Sequence, residues 1–402
     1  MIRKECAGMQ NEELAICKLK SFKQEHIIDI LNKLDSLEKE ELINQIIELN
    51  FEKMDRLYNN TKVEKRFDQV QISPMNCIVD KDKIENTQDF IKIGEDIIKN
   101  NQFAVVTMAG GQGTRIGYKG PKGTYKLNIG PKGKYIFEIL TENLLKAKTL
   151  YGTYAYWYIM TSEENNEETI SFFESHNYFG YDKEKIKFFK QGDLPVLSPE
   201  GKMVIENNRI KTAADGNGDV YNSLKKHKII EDMREKNIKW VYICGVDNIM
   251  VKPIDPLFLG LTKSHNMEIA SKSIIKDYPE EKVGVFCRRD DKPSVIEYIE
   301  LTEEMVNLRN EQGELVYGDA NFISHLLSVH AIEKISKEEL EYHLAIKNGL
   351  YKYESFIFDG FKFLDDMLVM RVKRDEEFAP IKNKEGVDSP ETAIRIYKKM
   401  YN

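Results

Sequence analysis

The densest group of residues able to do chemistry in this 402-residue chain is the run Ala109-Gly-Gly-Gln-Gly-Thr-Arg-Ile-Gly117, followed by Pro121-Lys122-Gly123. Glycines at this density let successive backbone N–H groups turn toward phosphate oxygens, and Arg115 and Lys122 add permanent positive charge. The spacing is not the dinucleotide GxGxxG, because Ile116 takes the place of the last glycine, and no GxxxxGK of a P-loop occurs. A lone glycine pair would read as an ordinary strand-to-helix turn; the Arg and Lys in the same run argue for a cradle for a polyanion. Asp247 is the second candidate. It closes the apolar run 240–246 and offers the hard oxygen that Mg²⁺ prefers, although a lone Asp there would equally cap a turn.

The elements that must position these residues follow from periodicity. Short β-branched and aromatic runs at 103–108, 153–161, 185–191, 240–246 and 267–275 predict strands, and helical spacing at 135–150, 164–176 and 221–236 separates them. The alternation predicts an α/β fold with a doubly wound, mainly parallel sheet, whose ligands bind beyond the carboxyl ends of its strands. Denser runs at 283–288, 295–301, 356–363 and 368–373 predict an antiparallel extension over the site. Residues 25–50 carry apolar positions at three- and four-residue steps, which predicts two antiparallel helices with Ser36 as the N-cap between them. Residues 59–86 are polar, contain Ser73-Pro74 and predict a wrapping linker. The expected organisation is an N-terminal helical region and linker (1–95), a central α/β domain carrying the glycine loop and Asp247 (96–345), and a C-terminal β extension and helix completing the site (346–402).

Composition removes several classes of function. The 59 basic and 66 acidic residues leave a net charge of −7 with no separate basic block, which argues against a nucleic-acid partner. No apolar run reaches the roughly 18 to 20 residues of a membrane span. Glu5 and Glu12 stand where a signal peptide would be apolar, so a cytoplasmic protein is expected. Five scattered cysteines without a CxxC pair fit reduced thiols rather than staples or a zinc site. The histidines show no metal-ligand spacing and no role is assigned to them; Lys132, in the local echo Gly130-Pro-Lys-Gly133, reads as a turn residue.

The glycine run with its PKG resembles the signature of the UDP-sugar pyrophosphorylases, uridylyltransferases with a GT-A/Rossmann-like fold. Asp215-Gly-Asn-Gly218 is similar to that family's DGNG loop, Cys244-Gly-Val-Asp-Asn248 to its metal-binding VDN, and residues 376–383 (EEFAPIKN) to its EFxPxKN. Residues 283–285, 295–298 and 356–359 and the N-terminal helices are most similar to the UDP-N-acetylhexosamine pyrophosphorylase branch, and the resemblance runs from about residue 20 to 400. Departures occur at Ala214 and Asp219 beside the DGNG loop, and at Ala320 and Ser324 where the branch has glycine and asparagine. They bear on the sugar more than on the reaction.

The resemblance implies a Mg²⁺-dependent, in-line attack by a sugar 1-phosphate on the α-phosphorus of UTP, with pyrophosphate expelled. N-acetylglucosamine 1-phosphate is the expected sugar and glucose 1-phosphate the alternative. Arg115 and Lys122 would hold the leaving pyrophosphate, and Asp247 the metal. Gly110, Gly111, Gln191 and Gly216 would bind the nucleotide; Asn217, Gly284, Glu297 and Asn321 would bind the sugar, walled by Phe356 and Phe358. Lys352 would hold the sugar phosphate and Lys382 would bridge it to the α-phosphate. A UDP-sugar glycosyltransferase and a non-catalytic nucleotide-sugar sensor are the rival readings. Arg115 and Lys122 count against the first, and the joint presence of Arg115, Lys122, Asp247 and Lys382 against the second.

Overall fold

The computed structural model describes residues 10–62 and 70–401, and these form two compact units that each draw on separate parts of the chain. The larger unit (70–191, 218–340 and 357–402) holds an eleven-stranded sheet. Its strands are β1 (Ile72–Pro74), β2 (Ile78–Asp80), β3 (Phe103–Met108), β4 (Tyr156–Thr161), β5 (Ile186–Lys190) and β6 (Trp240–Gly245). They continue with β7 (Ile269–Ile275), β8 (Val285–Arg289), β9 (Lys292–Ile296), β10 (Asp319–Ser328) and β11 (Leu368–Arg371). The spatial order is β2-β11-β7-β10-β6-β3-β4-β5, with β8 pairing β1, β9 and β10. β6-β3-β4-β5 and β7-β11-β2 are parallel blocks, and β10 joins them antiparallel to both neighbours. Every residue of β3 is buried, as helix-covered parallel strands require, so its sequence reads as a continuous apolar run.

β10 has no clear signature in the sequence. The reason is a bulge: Ile323 sits at φ +56°, and the register against β7 shifts between Ser271 and Ser273, so alternation fails midway. A β-branched residue with positive φ is a conformational outlier that the flanking ladders must hold in place. The expected linker at 59–86 also needs correction. β1 and β2 lie in it and pair with β8 and β11, three-residue strands too short to show a period; residues 63–69 lie outside the described residues. The predicted strand at 356–363 is instead a 3₁₀ turn, Ile357–Phe363, because a short apolar aromatic run does not by periodicity distinguish strand from helix. The helix expected at 221–236 is two, Val220–Lys226 and Ile229–Glu235, parted at Lys228 with φ +56°.

The smaller unit (1–69, 192–217 and 341–356) contains four helices in its described part: Asn11–Ser21, His26–Leu31, Ser36–Glu48 and Phe51–Asn60. Their inner faces (Ala15, Leu19, Ile27, Leu42, Ile46, Phe51) share a core with Leu194, Leu197, Met203, Ile210 and Tyr353. Apolar helix faces need cover, and chain from well beyond residue 95 supplies it; the compact units therefore cut across the contiguous segments 1–95, 96–345 and 346–402. The cap between the predicted helices is Asp35 rather than Ser36: its Oδ1 accepts from Leu37 N (3.0 Å) and Glu38 N (2.9 Å), and Ser36 is already helical. Asp35→Ala is expected to cost about 1 kcal/mol in urea unfolding, with Asp35→Asn nearly neutral. An unchanged midpoint in the alanine variant would reject the cap.

Among the described residues, no helix is long and apolar enough to cross a membrane.

Candidate active site

Because β3, β4, β5 and β6 run parallel, their carboxyl ends open on one edge of the sheet, and the residues that follow them are Ala109, Ser162, Gln191 and Val246-Asp247. The glycine loop leaves β3 and closes on itself: Gly113 N donates to Gly120 O (2.9 Å) and Lys122 N to Gly111 O (3.1 Å). Closure brings Arg115, exposed on the turn Gly113–Ile116, into the same loop as Lys122, which opens the turn Lys122–Thr124. Gly110 lies against Gln191. A Cβ at Gly110 would stand 2.4 Å from Gln191 Oε1, so any side chain there would displace the carboxamide. Gln191 N donates to Thr161 O (2.8 Å), fixing that carboxamide's root at the strand end.

Asn165 carries no motif signal, yet it is wholly buried under this loop. Its Nδ2 donates to Ala109 O (3.0 Å) and its Oδ1 accepts from Ser162 N (2.8 Å), tying the start of the glycine loop to the end of β4. Only the placement of Ser162 beside β3 gives this asparagine its part.

The charges converge on Lys122. Burial pushes its pKa below the usual lysine range, the neighbouring cations Arg115 and Lys382 push the same way, and Asp247 opposes them. Lys122 thus shares its surroundings with two further cations and one carboxylate, a field suited to a ligand with several negative charges. Lys382 arrives from the far side of the sheet: beyond β11 the chain crosses to the β6 end, where Ile381 N donates to Asp247 O (2.9 Å). Lys382 N then donates to Asp388 O (2.7 Å), and its Nζ lies 3.5 Å from Asp388 Oδ2. Among the described residues no group of three His, Cys, Asp or Glu side chains could cage a metal. A single carboxylate such as that of Asp247 is a hard oxygen donor of the kind that holds Mg²⁺ when phosphates and water supply the other ligands.

Gly284, Glu297 and Asn321 also come together in the larger unit. Asn321 N donates to Gly284 O (2.8 Å), and Glu297 Oε1 lies 2.8 Å from where a Cβ on Gly284 would stand. The β10 bulge turns Ile323 N onto Asn321 Oδ1 (3.0 Å), which fixes the orientation of the carboxamide. Two of the departures are absorbed within the protein. Ser324 is buried and its hydroxyl pairs with that of Tyr242. Asp219 accepts from Asn222 Nδ2 (2.9 Å) and from the Ser223 hydroxyl, so its carboxylate serves its own helix.

The smaller unit carries Gly216, Asn217, Lys352 and Phe356. Gly216 has φ +93°, and a Cβ there would stand 2.2 Å from Ser355 O, so both conformation and space demand glycine. Lys352 pairs with Ala345 in the hairpin His343–Lys347/Leu350–Glu354. Phe356 packs on the His343 ring (4.9 Å), whereas Phe358 is buried in the 3₁₀ turn, so the two do not form the wall expected of one strand face. Lys132 is an exposed turn residue between Lys126–Leu127 and Lys134–Tyr135, as its sequence predicts.

Comparison with known proteins identifies the family. The family model described as UTP-glucose-1-phosphate uridylyltransferase (UDPGP) matches residues 47–388. UDP-N-acetylglucosamine diphosphorylase 2 of Arabidopsis thaliana is 36% identical over 417 residues, covering 96% of this chain and 83% of that protein. The UDP-N-acetylglucosamine pyrophosphorylase of Saccharomyces cerevisiae is 34% identical over 366 residues, covering 82% of this chain and 76% of the yeast protein. In three dimensions, the inhibitor complex of the Trypanosoma brucei uridine diphosphate N-acetylglucosamine pyrophosphorylase superposes with a TM-score of 0.84 at 28% identity. It covers 97% of this chain and 85% of the other. The family model spans most of the chain, and the 36%- and 34%-identical relatives cover 96% and 82% of it, so the chain belongs to the UTP-glucose-1-phosphate uridylyltransferase family.

Proposed function

We propose that the protein joins UTP and N-acetylglucosamine 1-phosphate to give UDP-N-acetylglucosamine and pyrophosphate. The observation that carries the reaction is the convergence of Arg115, Lys382 and Asp247 on Lys122 beside the glycine loop. The names of the relatives carry the sugar. A phosphate oxygen of the sugar 1-phosphate forms a bond to the α-phosphorus as the bond from that phosphorus to the β-phosphate oxygen breaks, and pyrophosphate leaves with the electron pair. No protein nucleophile takes part. Bringing two polyanions together is the main obstacle, and positioning with electrostatic stabilisation of the leaving oxygens overcomes it.

In this reading Arg115 and Lys122 face the leaving pyrophosphate, while Lys382 and Lys352 hold the attacking phosphate. Gln191 reads the uracil edge with its donor and acceptor, helped by the backbone at Gly110, Gly111 and Gly216. Asn217, Gly284, Glu297 and Asn321 receive the sugar, and the Asn321 NH₂ suits an acceptor oxygen. Phe356 and Phe358 supply apolar surface from two separate elements. Asp247 would hold Mg²⁺, which neutralises phosphate charge when bound. The four described cysteines are free thiols, which supports a cytosolic setting.

The sugar is tested by kcat/KM for N-acetylglucosamine 1-phosphate and glucose 1-phosphate with UTP. The acetamido group offers an N–H, a carbonyl and a methyl, and glucose leaves their partners to water, so a preference of roughly 10- to 100-fold is expected. A clear preference for glucose 1-phosphate would make the protein a glucose-1-phosphate uridylyltransferase.

A further inference from the structure

We infer that Lys272 and Glu377, neither of which belongs to the cationic cluster, are positioning residues that hold Asp247 and Lys382 at a set separation. The inference rests on the roles proposed above for those two groups.

Lys272 projects from β7 and its side chain is wholly buried. Its Nζ lies 2.7 Å from Asp255 Oδ2 and 2.7 Å from Glu377 Oε2, and donates to Lys252 O at 3.3 Å. Glu377 is equally buried, and Lys81 Nζ stands 3.6 Å from its other oxygen. The main chain of Glu377 is held as firmly as its side chain: its carbonyl accepts from Asn248 Nδ2 (2.7 Å). Asn248 Oδ1 in turn accepts from Ala379 N (2.9 Å) and Met250 N (3.1 Å). Asn248 follows Asp247 directly, and Ile381, whose N–H binds Asp247 O, directly precedes Lys382. One contiguous set of contacts therefore runs from the sheet, through Lys272 and Glu377, to the turn bearing Asp247 and the segment bearing Lys382.

A buried ion pair is weak evidence of stabilisation, because desolvating both charges offsets most of their attraction; what it supplies here is registry. Asn248 and the 376–383 segment bind each other through neutral hydrogen bonds alone. Among the contacts that secure that pair of loops to the rest of the sheet are the ion pair to β7 and Asp255, whose Oδ1 caps the helix Pro256–Ser264 through Phe258 N (3.1 Å). Misplacement of reacting groups by about 1 Å costs on the order of 100-fold in rate.

The test uses variants that avoid an uncompensated buried charge. Glu377→Gln keeps the shape and the carbonyl bond to Asn248. Lys272→Met/Glu377→Gln removes the pair together and leaves Asp255 beside Lys81, 4.0 Å away. Asp232→Asn, outside the clamp in the Tyr158–Lys236 network, is the control for lost stability alone. Expected are a fall in kcat of roughly 10- to 100-fold in both clamp variants with both KM values within about threefold, and normal kcat in the control. The clamp is rejected if kcat in both variants stays within about threefold of wild type, or if Asp232→Asn loses as much kcat at the same Tm. Asp247→Asn and Lys382→Ala run alongside: activity retained in those would overturn the roles of Asp247 and Lys382, whereas their inactivation with full activity in both clamp variants would overturn the clamp alone.

Discussion

Arg115→Ala and Lys122→Ala will each slow turnover by roughly 10²- to 10³-fold while the far-UV circular dichroism and the Tm stay near wild type. Each removes a donor aimed at charge that develops only as pyrophosphate departs, so the loss should fall on kcat and not only on KM. The fold should tolerate both changes, since Arg115 is exposed and neither side chain belongs to the apolar core. Lys122 also predicts a pH profile. Burial lowers its pKa from the usual 10.5 in the free protein, so the charged form is lost as pH rises through that lowered value, and kcat/KM should fall with it. Bound polyphosphate favours the ammonium, so kcat should persist to higher pH. Lys122→Arg keeps its charge throughout and should remove this basic limb. Activity within a few-fold of wild type in either alanine variant, or a limb unmoved in Lys122→Arg, would take the pyrophosphate cradle away.

Chelation should abolish turnover and added Mg²⁺ should restore it, with Asp247→Asn demanding far more Mg²⁺ for the same restoration. The amide keeps an oxygen ligand but loses the charge that opposes the divalent ion. Asp247 is the carboxylate proposed to face the ion, so the expected loss at millimolar Mg²⁺ is roughly 10²-fold or more. Titration of UTP binding against Mg²⁺ by calorimetry gives a readout independent of turnover. A chelated enzyme still turning over at its normal rate would remove the metal, and Asp247 with it, from the mechanism.

Much of this arrangement is legible in residue order. The 103–108 and 240–246 runs are apolar because those strands are covered on both faces, so burial itself writes them into the sequence, and the observed β3 and β6 match them closely; β7 falls within 267–275 although Ser271, Lys272 and Ser273 interrupt its apolar residues. The glycine loop is equally legible, since its closure through Gly113–Gly120 and Gly111–Lys122 passes through positive φ at Gly117 and Gly120, and a Cβ at Gly113 would meet Tyr118. Such features are local: the chain's own geometry imposes them within a dozen residues.

What only the tertiary structure decided is long-range. β10 could not be read because its bulge at Ile323 is held by β6 and β7, strands distant in sequence, and a three-residue strand such as β1 exists only because β8 offers it an edge. Asp219 and Ser324 look like changes to a sugar pocket, yet Ser223 and Tyr242 take up their polar atoms, a pairing no local pattern reports. Lys272, Asp255, Glu377 and Asn248 are undistinguished one by one. They acquire meaning only where folding removes them from water, because a buried charge or amide must then find partners, and those partners lie wherever the sheet has brought them.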